Sequence, residues 1–170
     1  MKKKILIFLG IVVVGLTLGF LLTAILVKKG QPFKSYYPNG QLQEVGTTKN
    51  GKLNGLFKVY YPNGQLKLAW NYKNGKLEGL SKSYFETGQL QAKMIFKDNK
   101  SEGLSQFYFK TGQLQAKMIY RNGKLEGSAK TYRLSGSIVY VDTYKNGVKI
   151  KRSSYDEQGK FESEQNYQGL

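Results

Sequence analysis

The sequence predicts an all-β protein: an elongated antiparallel sheet of stacked two-strand repeats, 24 residues each, preceded by one N-terminal transmembrane helix. Three observations carry this. A glycine recurs at Gly40, Gly64, Gly88, Gly112 and Gly136, each 24 residues after the last, with a sixth, Gly159, following after 23. Between these markers, short alternating segments are punctuated by turn chemistry, in a composition of 20 Gly and 13 Tyr against 3 Pro that suits strands and turns better than helices. Ahead of them, residues 5–27 form an uncharged run of 23 residues, ILIFLGIVVVGLTLGFLLTAILV.

That run follows a basic tail, residues 1–4 with Lys2, Lys3 and Lys4, and precedes Lys28 and Lys29. At ~1.5 Å per helical residue it reaches ~34 Å, enough to cross the ~30 Å hydrocarbon core of a bilayer. A cleavable signal peptide starts the same way, but its apolar region is ~7 to 15 residues and ends in a small-x-small site. Thr23-Ala24-Ile25-Leu26-Val27 offers no good site of that kind, and no Cys is present to carry a lipid. The expectation is an uncleaved anchor, ahead of a cleaved signal or a buried soluble helix. A short tail is easily kept in the cytoplasm, while long domains cross largely regardless of charge. The chain is therefore expected to be single-pass at the cell membrane, with an extracytoplasmic domain. Residues 28–32 read as a linker and 33–167 as the repeat domain, about six units of which the last is degenerate.

Each unit reads as two strands. In the second, Leu56 to Tyr61 is a strand, Pro62-Asn63-Gly64 a turn, Gln65 to Tyr72 the returning strand, and Asn74-Gly75 the turn into the next unit. Pro suits the first central position of a type I turn, and Gly the left-handed position that completes a three-residue hairpin loop. That loop predicts Tyr61 opposite Gln65, Tyr60 opposite Leu66, Lys58 opposite Leu68 and Leu56 opposite Trp70. Leu56, Tyr60, Leu66, Leu68 and Trp70 would then form the packed face. Ser81, Ser83, Gln89, Gln91 and Lys93 of the next unit would lie on a wet one. The second connection needs an extra residue to keep that parity, and the recurring Gly55, Gly79, Gly103 and Gly127 suggest a bulge there. The last unit lacks the KLEG segment and gathers Asp156, Glu157, Glu162 and Glu164, which reads as a polar cap on an open edge.

The pattern Tyr-x-x-x-Gly-x-Leu followed by Tyr-x-Asn-Gly-Lys-x-x-Gly resembles the MORN-repeat family in its bacterial variant form, over about Phe33 to Tyr167. The resemblance implies a twisted antiparallel sheet of stacked hairpins that contacts proteins or anionic lipid and is not an enzyme. Bacterial members are often labelled antitoxins of toxin-antitoxin pairs, so the resemblance also implies a toxin as one class of partner. A long anchor is a departure from that role, since a cytosolic neutraliser needs none.

Composition bounds the chemistry. The chain has 170 residues, 27 basic and 11 acidic, with neither His nor Cys, which leaves no imidazole base, thiolate, disulfide or ordinary transition-metal site. No cofactor is expected. Glu78, Glu102 and Glu126 recur with the period, with Asn54 in their place in one unit, and so are not a convergent catalytic pair. Ser81 and Lys82 are neighbours on a strand and point to opposite faces. Nucleic acid is not an expected partner, since 24 of the 27 basic residues are Lys and Arg is the usual donor to phosphates and bases.

Stacking at a fixed period turns repeated residues into columns. Tyr36, Tyr60, Tyr84, Tyr108 and Tyr132 form one aromatic column, a packing layer or a contact surface. Tyr72, Phe96, Tyr120 and Tyr144 form a second. Lys34, Lys58, Lys82 and Lys130 form a lysine column on the apolar, packed face beside the first tyrosines, with Gln106 interrupting. Lys49, Lys73, Lys97, Arg121 and Lys145 precede the second turn, and Lys52, Lys76, Lys100 and Lys124 follow it. Turn lysines keep a sheet soluble and blunt its edges. Residues 31–155 nevertheless hold 21 basic and 7 acidic residues, a field suited to an anionic partner such as a lipid surface, a cell-wall polymer or an acidic protein.

Overall fold

The computed structural model describes residues 30–167, so the anchor predicted over residues 5–27 lies outside the described residues. These hold sixteen strands and no helix. In chain order they are β1 (Gln31–Tyr36), β2 (Leu42–Lys49), β3 (Lys52–Leu53), β4 (Gly55–Tyr60), β5 (Leu66–Lys73), β6 (Lys76–Leu77), β7 (Gly79–Tyr84) and β8 (Leu90–Lys97). The second half comprises β9 (Lys100–Ser101), β10 (Gly103–Tyr108), β11 (Leu114–Arg121), β12 (Lys124–Leu125), β13 (Gly127–Tyr132), β14 (Ile138–Lys145), β15 (Val148–Tyr155) and β16 (Phe161–Asn166). All belong to one open antiparallel sheet in sequence order, with β3, β6, β9 and β12 as two-residue flaps on β2, β5, β8 and β11. The repeat prediction holds: each hairpin touches its neighbours, and among the described residues no second layer covers it.

The first turn forms as its residues dictate. The Gly64 amide donates to the Tyr61 carbonyl at 2.9 Å and the Tyr61 amide to the Gln65 carbonyl at 2.8 Å, with Gly64 at φ +84, the left-handed position that glycine takes at least cost. Asn74 and Gly75 both take positive φ, as a type I′ hairpin requires. The substituted pair Asp98-Asn99 does the same.

Register corrects the expected pairing. Tyr60 does oppose Leu66, but Val59 opposes Leu68, Lys58 opposes Ala69, Phe57 opposes Trp70 and Leu56 opposes Asn71. Lys67 is the extra residue of a bulge, repeated at Gln91 and Gln115. The parity break thus falls beside the Pro-Asn-Gly turn and not at Gly79. At Gly79 the pairing steps by two residues, from Tyr72 opposite Leu77 to Ala69 opposite Lys82, and a step of two preserves the faces. Between units five and six the chain is one residue shorter, and the step becomes a one-residue bulge in β15, near Ile150. That is why the last glycine arrives after 23 residues.

Moving the bulge divides the expected packed face in two. One face carries Leu56, Lys58 and Tyr60; the other carries Phe57, Val59, Leu68, Trp70 and Tyr72. The second face is the packed one. Across it runs a row of large residues separated by small ones: Phe33, Gly46, Phe57, Trp70, Ser81, Met94, Ser105, Met118 and Ala129. Ser81 and Ser105, expected on a wet face, are 2% and 0% exposed, because the larger neighbours close over them. Gly46 is small for the same reason, since a Cβ there would meet Phe57 at 2.9 Å and Phe33 at 3.0 Å. Phe33 stacks on Phe57 at 6.1 Å, and Phe57 meets Tyr72 edge-on at 6.0 Å. The expected burial of Leu56 is also reversed, and Leu80 and Leu104 repeat its position. All three stand on the open face with Ile95 and Ile119.

Candidate functional site

The open face gathers the lysines. Directly opposed residues share a face, and the register runs Lys34, Val45, Lys58, Ala69, Lys82, Lys93, Gln106, Lys117, Lys130, Val141 in one straight line across ten successive strands. The column predicted from Lys34, Lys58, Lys82 and Lys130 is thus on one face, interrupted at Gln106 as expected, but that face is the open one and not the packed one, because the bulge separates Lys58 from Leu68 and Trp70. Lys93 and Lys117 join it, although alternation counted from the turn sets Lys93 on the opposite side. That count misses both because the bulge at Gln91 and Gln115 inverts the parity. A bulge has no fixed sequence signature here, since Lys67, Gln91 and Gln115 share only exposure.

The consequence is electrostatic. Lys82 faces Lys93 directly, and Lys117 faces Lys130, whereas like charges in opposed positions destabilise a sheet. Neighbouring strands lie ~4.8 Å apart, well inside the ~8 Å screening length at physiological salt. Among the described residues none of the six row lysines lies within ion-pair distance of a carboxylate.

The turn basics sit differently. Lys97, Asp98, Lys100, Glu102, Arg121 and Asn122 line an open cleft of about 460 Å³, and Lys73, Asn74, Lys76, Glu78 and Asp98 a smaller one of about 220 Å³. Both are mixed in charge. Lys76 Nζ donates to Asp98 Oδ1 at 2.9 Å, and that hydrogen bond raises the lysine's pKa and lowers the carboxyl's. The periodic glutamates hold the turns together. Glu78, Glu102 and Glu126 accept from the backbone amides of Asp98, Asn122 and Asn146 at 3.0, 2.8 and 2.8 Å. Asn54 does this for Asn74 at 3.2 Å. Lys124 and Lys145 belong to the same edge of the sheet. The two turn columns therefore flank the sheet beside acids, apart from the row.

The predicted tyrosine column lies on the lysine face. Tyr36, Tyr60, Tyr84, Tyr108 and Tyr132 oppose Leu42, Leu66, Leu90, Leu114 and Ile138. Tyr36 is 58% exposed and the other four are half-buried, so the inner four act in packing as well as in lining the face. The Tyr37 and Tyr61 hydroxyls donate to the Tyr60 and Tyr84 carbonyls at 2.7 and 2.9 Å, tying each unit to the next. The turn glycines Gly40, Gly64, Gly88, Gly112, Gly136 and Gly159 all take positive φ. The second aromatic column, Tyr72, Phe96, Tyr120 and Tyr144, stands on the packed face. Burial raises the pKa of Tyr72 and of Tyr120.

The sequence matches the MORN repeat variant over residues 32–50, 53–74, 77–98 and 101–122. No curated protein matches. Among solved structures, the chain is similar to one in the crystal structure of accessory secretory protein 1, 2 and 3 in Streptococcus pneumoniae, at 14% identity and a TM-score of 0.23. The similarity covers 73% of this chain and 19% of that one. The four matched repeats make up half of the sequence, so the chain belongs to the MORN repeat variant family, whose repeats are typically binding or scaffold modules and generally non-catalytic.

Proposed function

We propose that this protein is a membrane-tethered, non-catalytic binding module whose lysine-lined face takes an anionic partner. The single observation that carries the reading is the row itself: six lysines in register, none with a carboxylate partner among the described residues, with Lys82 opposite Lys93 and Lys117 opposite Lys130. A sheet that accepts such repulsion without an internal carboxylate to relieve it gains most when an external anion lies along the row. The apolar run over residues 5–27 supplies the tether, and the expected placement is amino terminus inside and repeat domain outside the cell membrane.

The test uses the full-length chain in nanodiscs of neutral lipid, with poly-glutamate as probe. Binding is expected to weaken as salt rises. Joint replacement of Lys82, Lys93, Lys117 and Lys130 by Gln should weaken it about tenfold, equivalent to ~1.4 kcal/mol. Replacement of Lys73, Lys97, Lys100 and Lys124 should change it much less. Equal losses from the two sets, or binding indifferent to salt, would remove the row from the reading. For topology, a Ser163→Cys variant should react with an impermeant maleimide on intact cells; no reaction until lysis would reverse the orientation. An antitoxin or immunity role is one case of the same binding. It predicts that the chain rescues cells from the toxicity of a neighbouring gene product.

A further inference from the structure

Two residues along each strand from the lysine row runs a second row on the same face: Leu56, Asn71, Leu80, Ile95, Leu104 and Ile119. Its aliphatic members are large and open to solvent, with Leu56 46%, Leu80 38%, Ile95 40%, Leu104 45% and Ile119 45% exposed. Four of them, Leu80, Ile95, Leu104 and Ile119, fall on successive strands of the sheet path, so the face offers one aliphatic side chain per strand. The two rows lie ~7 Å apart, twice the rise of a strand residue. The open face thus carries a basic stripe and an apolar stripe, parallel and in step.

We infer that the partner on this face is an amphipathic α-helix, lying across the strands, with a heptad-spaced apolar seam and a flanking line of Asp or Glu. This rests on the anionic-partner reading above and sharpens it. The period decides between candidate partners. Two strands advance ~10 Å per repeat, and seven helical residues advance ~10.5 Å, so one heptad spans one repeat to within about an ångström. Apolar seam residues of a heptad helix come every ~3.5 residues, about 5 Å, which matches one aliphatic side chain per strand. Acids flanking the seam then meet the lysines at the same interval. Charge complementarity sets the side of the seam on which they lie, toward Lys82, Lys93, Lys117 and Lys130. From Lys58 to Lys130 the row crosses seven strands, about 29 Å at strand spacing, the length of a three-heptad helix. An anionic bilayer supplies the charge but no period.

The experiment keeps the full-length chain in neutral-lipid nanodiscs and offers it two 21-residue peptides of identical composition. One has Leu at both seam positions and Glu beside them in heptad order; in the other the same residues are scrambled. Binding is read by titration, and contact by the acetylation rate of each lysine amine. The expected result is that the ordered peptide binds at least tenfold tighter and slows acetylation of Lys82, Lys93, Lys117 and Lys130 while Lys73 and Lys100 react unchanged. Ile95→Ser together with Leu104→Ser should remove most of that preference, and both side chains are exposed enough that the sheet should persist. Equal binding of the two peptides overturns the helix and leaves an unstructured anion as partner. If neither binds, while anionic lipid in the discs alone protects the row, the helix is overturned and the face belongs to the membrane. Protection of the row by none of these overturns both the helix and the anionic reading beneath it.

Discussion

Residues 55–132 and residues 138–166 are built from the same hairpin, yet they place their charges in opposite ways. In the central units the acids Glu78, Asp98 and Glu102 stand at the turns, where they accept from backbone amides or from Lys76. The strands between them carry lysine opposite lysine. At the carboxy-terminal end acids stand within the strands. Asp142, 7% exposed, accepts from Arg152 Nε and Nη2 at 2.7 and 2.8 Å and lies 3.2 Å from Lys149 Nζ. The Arg152 guanidinium also lies 4.1 Å above the Tyr140 ring, and Lys151 pairs with Glu164 at 2.7 Å. One chain thus shows both treatments. At the carboxy-terminal end a base is given an acid; in the central row, among the described residues, it is not. The free charge of the row is a feature of placement and not a shortage of carboxylates.

The largest expected effect lies at the paired end. Asp142→Ala should leave a partly buried guanidinium without its bidentate partner and cost ~3 kcal/mol, read as a lowered urea midpoint. If Asp142→Ala were as harmless as a central lysine substitution, the two regions would not differ as described. Next comes the packed face, where Ser105→Leu forces a larger side chain between Met94 and Met118 and should cost ~2 kcal/mol. Ser105→Ala should be neutral or stabilising by up to ~1 kcal/mol, because the Ser105 hydroxyl is fully buried with no partner and such a group carries a desolvation penalty.

The pH dependence follows from Asp142. Burial pushes its carboxyl up, but the hydrogen bonds from Arg152 and Lys149 outweigh it and hold the pKa below the usual carboxylate value. The folded pKa is the lower one, so the stabilisation is complete above the unfolded value of ~3.9 and lost as pH falls through the folded one. Thermal scans should show that loss in the native chain, and it should be smaller in Asp142→Asn. The smallest effect has the opposite sign. Lys93→Thr in the row should stabilise the sheet by roughly 0.3 kcal/mol by removing a like-charge pair while weakening anion binding.

Much of this architecture is legible in the sequence because its signals are local. Turn glycines, Pro-Asn-Gly and Asn-Gly each dictate a backbone shape within four residues, and their spacing sets the repeat and the sheet. The face assignment is not legible, and with it the membership of Lys93 and Lys117 in the row. A one-residue bulge inverts every side chain beyond it, and it recurs in hairpins whose bulged residues, Lys67, Gln91 and Gln115, differ in charge. Ser81 and Ser105 show the same limit: a small polar side chain between two large apolar ones is buried by its neighbours' size, which hydropathy of the serine itself cannot report.

The single bulge in each hairpin fixes how such a chain can lengthen. Unless a further bulge absorbs it, as near Ile150, gaining or losing one residue within a strand would exchange stripe for core throughout that unit, whereas copying a whole 24-residue segment keeps every side chain on its side and adds about a nanometre of identical track. The reach of the surface is therefore set in discrete steps by gene duplication, like notches on a measuring rod, and related chains with different numbers of units should differ in the span they recognise before they differ in its chemistry.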